Sequence, residues 1–90
     1  MNTLLEDFKD RMHIFHDSED SNLQGILDEA TDYIKDKTGL DDKDTRGRRL
    51  IMERGRYAYN DQLEFFEDNF LSELLGASFS GLEEAENNGE

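Results

Sequence analysis

The sequence predicts an all-α fold, a small bundle of about four helices followed by a disordered acidic tail. Three observations carry that reading. The 90 residues contain no Pro and no Val, so the strongest helix breaker and a leading strand former are both missing. Apolar residues recur three and four positions apart in four successive stretches, the spacing of one helix face. Capping chemistry stands at the ends of those stretches. A chain of this length holds one core and not two. Residues 1–80 are therefore read as a helical domain and 81–90 as a flexible tail.

The first stretch opens on Thr3-Leu4-Leu5-Glu6, a capping box in which the Thr and Glu side chains satisfy each other's free amides. Leu5, Phe8, Met12 and Phe15 then form one apolar stripe, with the end expected before His16. The second stretch takes Asp17 or Ser18 as cap, and Glu19 and Asp20 complement the positive helix end. Its buried face reads Leu23, Ile26, Leu27, Ala30, Tyr33 and Ile34. Lys35 and Lys37 occupy the last turn, and Gly39 with Leu40 supplies a Schellman stop.

The third stretch follows Asp41-Asp42-Lys43-Asp44-Thr45, capped by Asp44 or Thr45, and runs to about Asn60. At about 100° per residue, Gly47, Leu50, Ile51, Arg54, Tyr57 and Ala58 share one side. Arg49, Glu53 and Arg56 share the other, spaced for charge pairing. Gly47 and Gly55 each cost about 1 kcal/mol against Ala in a helix, which calls for a close approach by another backbone. Arg54 lies mid-stripe, so it either pairs with a carboxylate or faces another subunit.

The fourth stretch spans about Asp61 to Phe79, with Leu63, Phe66, Phe70 and Leu74 on one face. Phe65, Leu71, Leu75 and Phe79 extend apolar character to a second side. Asn69 is a candidate cap, so one bent helix or two short ones both fit. This is more apolar surface than a lone small bundle covers. Residues 70–82 are accordingly expected to be loosely held, and to order on assembly. Leu82 to Glu90 is polar and acidic.

Charge narrows the function classes. Formal net charge is -13, mean hydropathy is -0.91, and 37 % of residues are charged against 34 % hydrophobic. Residues 35–56 hold eight basic and five acidic side chains, a net of +3, leaving two basic and eighteen acidic elsewhere, a net of -16. Such a chain is repelled by nucleic acid and anionic lipid. Its local Arg cluster suits self-association or an acidic protein partner. No Cys means no disulfide, no thiolate metal site and no thiol nucleophile. No secretory h-region and no membrane-length apolar run are present, so a soluble protein of a reducing compartment is expected.

Candidate chemistry is sparse. His13-x-x-His16 before Asp17 has a helical metal-site spacing, yet no further His or Cys exists to close a tetrahedral site. Asp41-Asp42-Lys43-Asp44 starts like a calcium loop, but the sixth and twelfth places hold Arg46 and Met52 rather than Gly and Glu. There is no Gly-rich phosphate loop and no supported Ser-His-Asp set. No enzyme, metal or cofactor is expected.

A distinctive block follows in the second half: Glu53-Arg54-Gly55-Arg56-Tyr57-Ala58-Tyr59-Asn60-Asp61, then Leu63-Glu64-Phe65-Phe66 and Asn69-Phe70-Leu71-Ser72-Glu73-Leu74. With Met12-His13-Ile14-Phe15-His16 and the acidic start of the second helix, it resembles tailed-phage head–tail connector (adaptor) proteins. The resemblance spans about residues 4–75. Its most specific element is the Arg-x-Arg-Tyr-x-Tyr-Asn-Asp string, with Gly55 departing from the helix former expected there.

That resemblance implies a structural role. The implied partners are the portal protein, neighbouring copies in a ring expected to be dodecameric, and a stopper or tail-completion protein. Packaged DNA would pass through an extended channel without sequence-specific binding and be retained. The implied place is the virion neck, after a period in the host cytoplasm, with no membrane. The interface residues expected are Arg46, Arg49, Arg54, Arg56, Tyr57, Tyr59, Phe70, Leu74 and Phe79. The competing reading is an acidic protein-interaction module or DNA-mimic inhibitor, which the net charge supports and the Arg cluster opposes.

Overall fold

The computed structural model describes residues 3–88, with side-chain surroundings given through residue 79. Four helices and one short 3-10 turn make up the described chain: α1 (Leu4–Met12), α2 (Asp20–Thr38), α3 (Thr45–Tyr59), the 3-10 turn Leu63–Phe65, and α4 (Phe66–Asn88). No strand occurs among the described residues. The fold is a small all-α bundle, and no helix is long and apolar enough to cross a membrane among the described residues.

Two of the helix starts use the caps the sequence predicts, Thr3 through one half of the expected capping box and Asp44 in full. Thr3 Oγ1 accepts from the Glu6 amide at 3.1 Å, and Asp44 accepts from the Gly47 amide at 3.0 Å. Each interaction satisfies one orphan N–H of the first turn. The α2 start differs. Glu19 precedes the helix and makes no side-chain cap, while Asp17 turns instead to Lys9. Lys9 Nζ lies 2.8 Å from Asp17 and 2.7 Å from Asp20, tying the α1–α2 loop to α1. Those bonds raise the Lys9 ammonium and hold the Asp17 carboxyl below its ordinary range.

The helix stops use positive-φ residues of three kinds. His13 at φ 58° ends α1, with the Ile14 amide donating to Lys9 O and the His13 amide to Asp10 O. Asp61 at φ 58° does the same after α3, through Gln62 to Tyr57 O and Asp61 to Ala58 O. Both are Schellman patterns headed by a side chain that tolerates the left-handed region. Gly39, at φ 79°, makes only the simpler bond to Lys35 O. The sequence predicts a full Schellman stop there, but Thr38 Oγ1 intercepts it. That hydroxyl donates to Ile34 O at 2.6 Å and accepts from the Leu40 amide at 3.0 Å. Leu40 still folds back into the core.

The left-handed turn at His13 also corrects the first stripe. It takes the chain off the helix before Phe15, which is 81 % exposed, and Ile14 enters the core instead. α2 is the central helix, packed against α1, α3 and α4, and contributes Leu23, Leu27, Ala30 and Ile34, all fully buried. Ile26 and Tyr33 are half-buried at its edges. From α3 come Leu50, Ile51 and Met52.

Gly47 and Gly55 are both buried, for different reasons. A Cβ on Gly47 would stand 2.3 Å from the Asp41 carbonyl oxygen, the backbone approach expected there. On Gly55 it would meet the Phe8 ring at 3.0 Å and Leu27 at 3.3 Å, so at that place side chains make the approach.

α4 starts at Phe66 and runs unbroken through Asn69. It lays Phe66, Leu74 and Ala77 on the core with Phe70 half-buried, so residues 70–77 are docked rather than loosely held. The acidic tail expected over 81–90 falls where side chains lie outside the described residues.

Candidate assembly interface

The Arg-rich string sits on α3 where that helix faces α2 and α4. Arg54 points across to α2, its guanidinium carbon 3.6 Å from the centre of the Tyr33 ring. It donates to both carboxylate oxygens of Glu29, at 2.7 and 3.2 Å. Only 11 % of the Arg54 side chain remains exposed. Of the two alternatives open for a guanidinium in mid-stripe, this is the paired one, and planar stacking with a fork of hydrogen bonds is what Arg does better than Lys.

Below the guanidinium lies an aromatic cluster. Tyr33 meets Phe66 edge-on at 6.0 Å, Tyr57 meets Phe66 and Phe70 edge-on at 5.6 Å each, and Phe66 stacks on Phe70 at 4.9 Å. These are the favoured ring geometries. Asn69 Nδ2 donates to the Tyr57 hydroxyl at 3.1 Å, which is the use the structure makes of the residue read as a cap. Burial and the nearby Glu67 carboxylate push the Tyr33 hydroxyl above its ordinary range. Burial followed by Glu19 does the same to Tyr59, whose hydroxyl donates to Glu19 at 3.2 Å.

Several other basic residues make ion pairs on the outside of the bundle. Arg48 bonds Asp7 and so staples α3 to α1. Arg49 grips Glu73 with two nitrogens, fastening α3 to α4. Arg56 donates to Glu53 one turn back, and Arg11 reaches the same carboxylate at 3.5 Å. Lys37 lies 3.8 Å from Glu67. The cluster read as a docking patch is thus largely engaged within the molecule.

Among the residues expected at an interface, Arg46, Arg49 and Phe79 are exposed. Arg56, Tyr57, Tyr59 and Phe70 are half-buried, Arg54 is nearly closed over, and Leu74 is core at 6 % exposure. The open apolar surface lies elsewhere on α4. Leu71, Leu75 and Phe79 are 51, 55 and 66 % exposed, and Leu63 and Phe65 precede them at 38 and 53 %. Successive fours on α4 place Leu71, Leu75 and Phe79 opposite the face that carries Phe66, Leu74 and Ala77. This second apolar side is the one the sequence predicts.

Three partners were not legible. Glu29 and Tyr33 stand one turn apart on α2, a spacing that offers an acid and a ring to one incoming Arg. Asp7 carried no signal at all, because its partner is 41 positions away.

His13 and His16 do not share a helix face, since α1 ends at Met12. His16 Nδ1 hydrogen-bonds Ser18 at 2.8 Å, and Nε2 lies 3.7 Å from Glu19. No group of three His, Asp or Glu side chains able to hold a metal ion occurs among the described residues.

Fold and surface together define a class: a small helical domain with a buried core, charge staples, and an apolar flank left open on α4. A family model for the phage gp6-like head-tail connector protein matches residues 2–65, which include all of α1 to α3 and the whole Arg54–Asp61 string. The chain belongs to that head–tail connector family. No curated protein and no solved structure gives a significant match.

Proposed function

We propose that this chain is a subunit of a ring seated on the portal at the neck of a tailed-phage virion. In that ring, dodecameric to match the portal, copies meet head to tail and extend the DNA channel. A stopper or tail-completion protein closes the far side, and the assembly helps retain the packaged genome. The subunit waits in the host cytoplasm until a filled head presents its portal. Its role is structural, without catalysis.

The observation that carries this reading is the open apolar flank of α4 in a chain of the connector family. A contiguous stripe of three large side chains on a small acidic domain is a surface for association. The excess of carboxylates gives a channel wall that offers DNA no phosphate neutralisation, so DNA slides rather than sticks. Of the expected contact residues, Arg46, Arg49 and Phe79 are exposed, with Arg56, Tyr57, Tyr59 and Phe70 at the margin. The docking of residues 70–77 means that the flank needs no large swing to engage.

Mixing the protein with the portal of its own phage and imaging the particles by electron microscopy tests this directly. The expected result is an added ring of density under the portal. Portals that look the same with and without the protein would overturn it.

A further inference from the structure

The molecule carries a second apolar feature, away from the α4 stripe. An open groove of about 950 Å³ runs between the first half of α2 and the end of α3. Gly25, Ile26, Ala58 and Leu63 line it together with Ser21, Asn22 and Tyr59, and it has two carboxylates, Glu19, which accepts from Tyr59, and Glu29, which is held by Arg54. Gly25 is the odd residue. It sits at an exposed position inside α2, where Gly costs about 1 kcal/mol against Ala. Nothing of this chain lies within 4 Å of where its Cβ would be. The packing reason that explains Gly47 and Gly55 is absent, and open space above the α2 backbone remains.

The α4 stripe has the complementary properties. Leu71, Leu75 and Phe79 project along about 12 Å of helix. Beside them the α3–α4 cleft is lined by Arg46, Arg49, Ser72, Glu73 and Gly76, two cations against one carboxylate. The stripe cannot reach the groove of its own molecule, because Phe66, Leu74 and Ala77 pin α4 to the core. One chain therefore holds an apolar ridge beside a cleft with two cations to one carboxylate, and a partly apolar groove with two carboxylates, one of them shared with Arg54, on different elements. Unlike surfaces of this kind join identical copies head to tail, and close into a ring when the rotation allows.

We propose that the α4 ridge of each copy, Leu71, Leu75 and Phe79, seats in the α2–α3 groove of the next copy, over Gly25. Arg46 and Arg49 then face the two carboxylates of the neighbour's groove. This rests on the ring reading above and names the two surfaces that meet.

Gly25→Gln and Leu75→Glu test it on portal-bearing heads. Gly25→Gln fills open space with a better helix former, so it is expected to melt no lower than the parent while most heads lose the ring. Leu75→Glu is expected to lose the ring as well, with its helical spectrum intact. The cysteine-free chain permits a proximity test. Copies with Gly25→Cys are mixed with copies bearing Leu75→Cys on the same heads and treated with a short bismaleimide. Cross-linked dimers are expected in the mixture and in neither variant alone. Dimers from Leu75→Cys alone would mean that α4 pairs with α4, and links to portal alone would mean that the ridge serves the portal. Either result overturns the proposal, as does a Gly25→Gln ring equal to that of the parent. In all three cases parental rings still stand on the heads. Failure of the parent to form any ring would overturn the ring reading itself.

Discussion

The part of the molecule built from α1 to α3 and the part built on α4 have similar proportions of large apolar residues, and use them differently. In the first, Phe8, Leu23, Leu27, Ile34, Leu50 and Ile51 are wholly buried, and Phe15 is the one large apolar side chain left exposed among the described residues. In α4, Phe66 and Leu74 are buried while Leu71, Leu75 and Phe79 stay open. The difference is one of available partners. Among the described residues, α2 packs against three helices, whereas α4 packs against α2, α3 and the short 3-10 turn. A helix that is apolar on two sides but packed on one has surface reserved for something outside the chain. The family match, which ends at residue 65, falls almost at the same boundary.

The sharpest way to break this contrast is to remove one aromatic ring from each part. Phe8→Ala should cost about 3–5 kcal/mol, since the ring is fully enclosed and stands against Gly55. Phe79→Ala should leave the melting temperature of the free protein nearly unchanged and weaken assembly on the portal. A large loss of stability from Phe79→Ala would show that the flank is already covered in the free subunit.

Next in size is the pair of arginines on α3. Arg54→Ala removes the lid of the aromatic cluster and strands Glu29. Because Glu29 keeps 53 % of its side-chain exposure, water rehydrates it, and the cost should be about 1–3 kcal/mol rather than that of a fully buried pair. Arg56→Ala breaks a surface pair on its own helix and should cost less than about 1 kcal/mol. Denaturant melts of both variants decide this, and equal small shifts would place Arg54 outside the core.

Glycines separate the two parts by sign. Gly47→Ala drives a Cβ into the Asp41 carbonyl oxygen and should destabilise by about 1–3 kcal/mol, as overpacking does. Gly76→Ala meets only an Arg46 nitrogen at 3.8 Å and should stabilise α4 by up to about 1 kcal/mol. Thermal melts that move both variants the same way would remove the distinction.

What was legible in the sequence was local. Thr3, Asp44 and Gly39 mark helix ends because their hydrogen bonds close within a few residues, and the four stripes follow from the helix repeat. Phe15 was misplaced because His13 accepts a left-handed conformation without being Gly, a choice fixed by the packing of Ile14. The second side of α4 was visible because an excess of apolar residues needs no partner to be counted. Glu29 under Arg54, Asp7 under Arg48 and the groove above Gly25 were not, since each is made by residues tens of positions apart.

The smallest expected effect lies in the fastening of α4 itself. Arg49 holds the Glu73 carboxyl below its ordinary range, chiefly through their hydrogen bond, and is raised in turn. A carboxylate lowered in the folded state contributes stability above its unfolded value, about pH 4, and loses it as pH falls through the folded one. Both partners are about half exposed, so the contribution is below about 1 kcal/mol and is screened by salt. Acid has an opposing action on a chain of net charge -13, because neutralising surplus carboxylates relieves repulsion. Acidification of the parent alone therefore mixes two effects. The comparison with Glu73→Gln separates them, since that variant keeps the shape and loses the titration. Between pH 5 and 3, the hydrogen-exchange protection of α4, taken against the intrinsic rate at each pH, should fall more in the parent than in Glu73→Gln, with protection of α2 alike in both. The gap should shrink at 1 M salt. Equal pH slopes in α4 for the two proteins at low salt would show that the Arg49–Glu73 bond does not hold α4 against the bundle.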